Sequence, residues 1–421
     1  MVISIILIIF LLFLIKIFKI RLMEPAGIYS IMWIFFIVGS IITLSAKYEF
    51  TFGGIIWLII TCYISVISFK MVQSKNKVIM INQVRYPNIP WKLLIGLIIL
   101  AMGSVLYTMI TSGVSFSVFS DFSSLQDTAH TASVNRYASD GQNGSIINQI
   151  LGTFIYVSPI CAGYSLVFAE NKKEKLICFS SILPAILSML LTAAKLAVVT
   201  FVILFFVGYY VAYIYSRKKV PYVNPKVFGL CCMGAILLYA LFYLSFVLRI
   251  GNGESNIGQV ITDKLMVYAF GHIQGFDIWF DRYAFDMDKY GLGANTFLAV
   301  SSRMGIAEKK QGVYGVISGV CTNVYTQYRG LIEDFSPIFS IVLMIIFFMI
   351  VYKIYFYLLK NSKPHIFIQV LYSASLFWIV FNFVSAWAYT TYILAFIVYA
   401  FYLYISFHVR FIWGKKEKGN E

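Results

Sequence analysis

The sequence predicts an all-helical protein that crosses a membrane many times, and two observations carry that prediction. Hydrophobic residues fill 60% of the 421 positions and charged residues only 12%, against about 45–50% and about 25% in soluble domains. The apolar residues also gather in runs approaching the roughly 20 needed to cross a hydrocarbon core. Eleven spans can be placed, at 2–20, 27–45, 51–69, 92–111, 146–169, 176–194, 196–215, 227–248, 337–359, 365–384 and 389–408.

The first run has no basic stretch ahead of it and no cleavage signal, while Lys16, Lys19 and Arg21 follow it. That pattern reads as a retained span with its N-terminus outside. The loops 21–26, 70–91, 170–175, 216–226 and 360–364 and the C-terminal tail then fall inside. With the adjoining helix ends they carry 22 Lys and Arg and five acids, against 11 bases and 13 acids on the other side. Cytoplasmic loops retain Lys and Arg. The net charge of +15 is therefore topology, and no nucleic-acid partner follows from it.

Both long loops, 112–145 and 249–336, lie outside in this reading, on a single membrane domain covering 1–421. The larger loop has apolar residues at helical spacing, among them Ile261, Leu265, Phe276 and Trp279. It should form amphipathic helices lying at the interface or folding back toward the bundle. Of six cysteines, five sit in apolar runs, and no Cys/His spacing suggests a metal. Nucleotide-binding loops, the hydrolase elbow and zinc-protease motifs are missing too. An enzyme facing outward has no nucleotide supply, so its substrate must arrive activated, and a lipid diphosphate is the obvious kind.

Four places could carry chemistry. The stretch TNVYTQYRGLIEDFSP, 322–337, stands at the entry to an apolar run. Read as a helix, it aligns Thr322, Thr326, Arg329 and Glu333 on one polar stripe. An interfacial helix with a self-satisfying Arg329–Glu333 pair is the plainer reading. Lys195, in LLTAAKLAVV, falls where two spans must turn at the outer edge. It is either a snorkelling lysine or a functional cation. Arg249 marks the exit of the eighth span. Around GHIQG, His272 lies between Gly271 and Gly275, a spacing that permits close approach of a backbone or ligand. Asp277 follows on a different face. The smaller loop adds His130 and Arg136.

Asn323-Val-Tyr-Thr326, Arg329 and Asp334-Phe335 before a late span, with the GHIQG helix and Asn295-Thr-Phe297 ahead of them, resemble the Wzy-type repeat-unit polymerases of bacterial O-antigen and capsule synthesis. The family has Gly where this chain has Ser336, and usually Arg where it has Lys195. The resemblance implies a GT-C-like, metal-independent glycosyltransferase of the bacterial cytoplasmic (inner) membrane, acting on its outer side. Undecaprenyl-diphosphate-linked glycans would be donor and acceptor, with a chain-length co-polymerase as a further partner and no cofactor. It also implies roles. Arg329, Arg249 and Lys195 would stabilise the departing diphosphate. His272, with Asp277 or Asp334 behind it, would take the acceptor proton. Asn323, Tyr325 and Arg136 would bind substrate. A flippase for the same lipid, an O-antigen ligase and a membrane O-acetyltransferase are the alternatives.

Overall fold

The computed structural model describes residues 1–75, 84–138, 146–222, 224–250, 257–286, 290–307, 317–381, 387 and 389–409. These form α1 (Val2–Ile17), α2 (Pro25–Leu44), α3 (Gly53–Lys75), α4 (Trp91–Thr111), α5 (Phe122–Ala138), α6 (Ile146–Leu166), α7 (Lys172–Ser180) and α8 (Leu183–Thr192). There follow α9 (Leu196–Arg217), α10 (Pro225–Ile250), α11 (Ile257–Tyr283), α12 (Leu298–Ser301), α13 (Tyr328–Phe335), α14 (Pro337–Lys360), α15 (Ile366–Val380) and α16 (Thr390–His408). Nine stretches among the described residues are long and apolar enough to cross a membrane, with α7 and α8 together making one of them. This is a polytopic membrane protein. The two remaining expected spans are the apolar but shorter α1 and α15. At 16 and 15 residues each covers only about 23 Å, short of a core about 30 Å thick.

One half of the bundle is built on α6 and α9. A Cβ on Gly163 would stand 2.0 Å from the Phe205 carbonyl oxygen, and one on Gly208 2.1 Å from that of Ile160. The two backbones are therefore in direct contact, which only glycine permits and which is a common way for helices to associate in lipid. Helices α4, α15 and α16 pack around this pair. Hydroxyls stitch the pieces together: Tyr164 donates to Gln369 at 2.9 Å, and Ser165 meets Tyr402 at 2.6 Å.

The other half holds α1, α2, α3, α11 and α14. Tyr29 bonds Thr61 at 2.7 Å and also the Tyr328 hydroxyl, while Ser65 meets Tyr352. The long helix of the large loop, α11, folds back into this half, the second of the two expected outcomes. It runs antiparallel to α2, from a Lys47–Asp263 pair at 2.6 Å, past Phe270 against Gly39, to His272 against Phe36 at 4.9 Å between ring centroids. It then reaches the first turn of α3, where Asp277 accepts from the backbone N–H groups of Thr51 (2.7 Å), Phe52 (2.8 Å) and Ile55 (3.1 Å). Helix starts leave such donors without partners; here a side chain from another helix supplies the acceptor. Every residue from Gly271 to Phe280 is buried, so this part of α11 is not amphipathic. It is enclosed.

By contrast α10 is hydrogen-bonded to its neighbours toward its C-terminal end. Ser245 donates to the Ala193 carbonyl and Gln126 to that of Val247, whereas residues 232–237 are all exposed.

The α6–α9 contact makes a direct prediction. Gly208→Val forces a side chain onto a carbonyl and should lower the melting temperature of the purified protein sharply, at a cost of about 3 kcal/mol or more. Gly103→Ala, where a Cβ meets nothing within 4 Å, should melt at or slightly above wild type, since alanine favours the helix.

Candidate functional site

The 322–337 stretch is not one helix. Residues 322–327 cross α11 in irregular conformation, and helix begins only at Tyr328. The crossing lies over the two glycines of GHIQG: a Cβ on Gly271 would stand 3.0 Å from Cys321 Sγ, and one on Gly275 3.2 Å from Val320 and 3.3 Å from Thr322. Buried irregular backbone needs partners, and Gln274 supplies them. Its amide nitrogen donates to the Gly319 carbonyl at 3.0 Å and the Glu49 carbonyl at 3.1 Å, while its oxygen accepts from Cys321 N–H at 3.2 Å. The expected continuous polar stripe is lost because residues 322–327 are not helical; Gln274 anchors the chain just ahead of them, at Gly319 and Cys321.

Arg329, in the first turn of α13, still pairs with Glu333, Nε to Oε1 at 2.8 Å. Its guanidinium also stands 4.3 Å from the Tyr325 ring centroid and 5.1 Å from that of Trp279. Burial pushes the Tyr325 hydroxyl above the usual tyrosine range, with Arg329 opposing the shift. The phenol therefore stays neutral and offers a hydroxyl beside the cation. Asn323 is half-buried in the crossing segment.

A second group forms farther back along α11. Lys195 sits in the turn between α8 and α9, after Ala193 in left-handed conformation at φ 50°. The expected break is therefore present. Its ammonium stands 3.4 Å from the Phe246 ring centroid and 4.6 Å from that of Tyr268, a cation–π cage that leaves Lys195 only 8% exposed. Arg249 donates to the Tyr268 hydroxyl at 3.3 Å, and His130 Nδ1 meets the Arg249 carbonyl at 2.7 Å. Two cations named from sequence thus share one tyrosine. The side chain of Arg136 lies outside the described residues.

On a helical wheel Tyr268, Gly275 and Trp279 fall on one face, and Phe270, Ile273 and Asp277 on the opposite one. The first face carries both cation–aromatic groups, about 16 Å apart along the axis. The second packs on α2 and α3.

The remaining acids and the histidine are committed to the fold. Asp334 is fully buried and accepts four bonds: from the N–H (3.0 Å) and amide (3.1 Å) of Asn295, and from the N–H and hydroxyl of Thr296, both at 2.6 Å. With Gly291 N–H on the Glu333 carbonyl at 3.1 Å, it pins the 291–297 loop to α13. Asp277 caps α3. His272 is 2% exposed, and burial pushes its pKa down to about 3, far below what a general base working near neutrality needs. These three were expected in catalysis, and in each case the surrounding geometry engages the group structurally.

Sequence reasoning did not name Trp279, Tyr268 or Phe246 as ring partners of the cations. The spacing of Tyr268, Gly275 and Trp279, seven and then four residues, was the available signal. Comparison with protein-family models, curated proteins and solved structures gives no match.

Ser336 links α13 to α14 with φ 65° and ψ 161°, a region essentially reserved for glycine, in which other residues pay about 1–3 kcal/mol. Its hydroxyl offsets part of this by accepting from Phe339 N–H at 3.3 Å. Ser336→Gly should melt at or above wild type. Ser336→Ala, which keeps the strain and loses the cap, should be about 1 kcal/mol less stable.

Proposed function

We propose that the protein is a Wzy-type membrane glycosyltransferase with an eleven-span, GT-C-like domain. It polymerises undecaprenyl-diphosphate-linked repeat units into O-antigen or capsular polysaccharide at the outer face of the bacterial cytoplasmic membrane. The observation that carries this reading joins two stretches that are far apart in sequence. Asn295-Thr296 and Asp334, both part of the resemblance, form one hydrogen-bonded unit on the short helix that bears Arg329.

In this reading the acceptor hydroxyl oxygen bonds to the anomeric carbon of the donor glycan as the bond from that carbon to the diphosphate oxygen breaks. The diphosphate leaves with the electron pair. Arg329, oriented by Tyr325, Trp279 and Glu333, holds the developing charge with its planar fork. Lys195 and Arg249 form a second cationic station for a lipid-linked diphosphate. Glu333 replaces His272, Asp277 and Asp334 as the group that takes the acceptor proton, because it is half-buried beside Arg329 while the other three are engaged elsewhere. Tyr325 and Asn323 contribute polar groups for sugar hydroxyls.

The test is the surface glycan of a deletion strain complemented at matched membrane levels. Deletion should leave single repeat units and wild type should restore the polymer ladder. Arg329→Ala should abolish the ladder, and Arg329→Lys, which keeps charge without the fork, should shorten it. Lipid-linked units trapped on the cytoplasmic side in the deletion strain would instead identify a flippase and overturn the reading.

A further inference from the structure

At the end of the bundle far from Arg329, three chain segments meet: the lead-in to α4, the α14–α15 turn and the last turn of α16. The 24-residue α14, about 36 Å long, separates this place from α13. The segments border an open cleft of 540 Å³ whose lining includes Arg85, Ser362, Lys363, His365 and His408. Every ionisable side chain in that lining is basic or an imidazole.

The walls are fixed by bonds that cross between segments. Tyr215 donates to the carbonyls of both Arg85 (2.8 Å) and Ser362 (3.1 Å), and Asn88 N–H donates to the Ser406 carbonyl at 2.7 Å. Two helices end here, and their terminal carbonyls would repel an anion. Several of those carbonyls are already covered. Lys218 donates to the carbonyls of Leu358 (2.8 Å) and Asn361, and Arg85 to that of Phe407 at 2.6 Å.

Arg85, Lys363, His365 and His408 therefore set the charge of the cleft. His408 stacks on Tyr404 and places Nδ1 3.1 Å from the Tyr404 carbonyl. A carbonyl only accepts, so Nδ1 carries a hydrogen, and Nε2 can donate to an anion when the ring is in its protonated form. His365 packs edge-on against Tyr357. It is also the residue before α15, whose positive N-terminal end opens at the same place.

We propose that this cleft binds a phosphate-bearing anion, supplied either by an anionic phospholipid headgroup or by free phosphate. The site is independent of the glycosyltransferase reading. It differs from general attraction of basic loops to an anionic leaflet in depending on these residues and not on the charge of the face as a whole.

The experiment uses the full chain purified in phosphatidylcholine nanodiscs. Melting is followed after adding phosphatidylglycerol, or inorganic phosphate against chloride at equal ionic strength. Wild type should gain several degrees with one of the two additions. The gain should disappear in Lys363→Gln/His408→Gln, whose side chains are exposed, and shrink in Lys363→Gln alone. It should persist in Lys172→Gln/Lys173→Gln, which removes two exposed charges from α7. A shift with phosphatidylglycerol alone assigns the lipid source, and a shift with inorganic phosphate assigns the free one. No shift with either addition, or an equal loss in both double variants, overturns the proposal. Phospholipid retained per chain in native mass spectra gives the same comparison without relying on melting.

Discussion

Ten consecutive residues of α11, from Gly271 to Phe280, are buried on every side, and the arrangement of the segments around them follows from that enclosure. A polar group taken out of water costs several kcal/mol unless it finds a partner, and this stretch carries Gln274 and Asp277. Gln274 binds the carbonyls of Glu49 and Gly319 and the N–H of Cys321; Asp277 binds the start of α3. The connection entering α3 and the segment leading to α13 are both anchored on one helix. Glycines on either side of it make room: Gly271 and Gly275 for the crossing segment, Gly39 and Gly54 for α2 and α3.

Much of this was legible in sequence, and the parts that were not share a cause. The spans were legible because lipid demands long apolar runs. The break at Lys195 was legible because forty apolar residues are too many for one crossing. The Arg329–Glu333 pair lies four residues apart on one helix, so local spacing sufficed. What stayed hidden depends on contacts between distant segments. Nothing near Asp334 announces that Asn295 and Thr296 will occupy its oxygens, and nothing near His272 announces Phe36 against its ring. The irregular conformation of 322–327 was hidden for the same reason, since helical spacing there looks adequate until Gln274 anchors the preceding residues Gly319 and Cys321 on α11.

The core is also more polar than its composition suggests. Eleven of the twelve largest fully buried side chains are tyrosines, and their hydroxyls link helices far apart in sequence: Tyr29 with Thr61 and Tyr328, Ser65 with Tyr352, Tyr164 with Gln369. Such bonds contribute only about 0.6 kcal/mol each in a membrane protein. Their larger effect is on specificity, because apolar surface does not distinguish a neighbouring helix from lipid. The backbone contacts of Gly163 with Phe205 and of Gly208 with Ile160, together with these hydroxyl pairs, define which faces meet.

The two cation–aromatic groups stand on one uninterrupted helix, with Tyr268 and Trp279 as their respective ring partners. The separation of these two rings is set by the rise of eleven helical residues, about 16 Å. Asp277, locked to the start of α3, prevents that helix from sliding along its own axis. The two rings therefore work as a fixed gauge: other segments carry Lys195 and Arg329 to them, while the distance between the two docking positions on the helix stays the same.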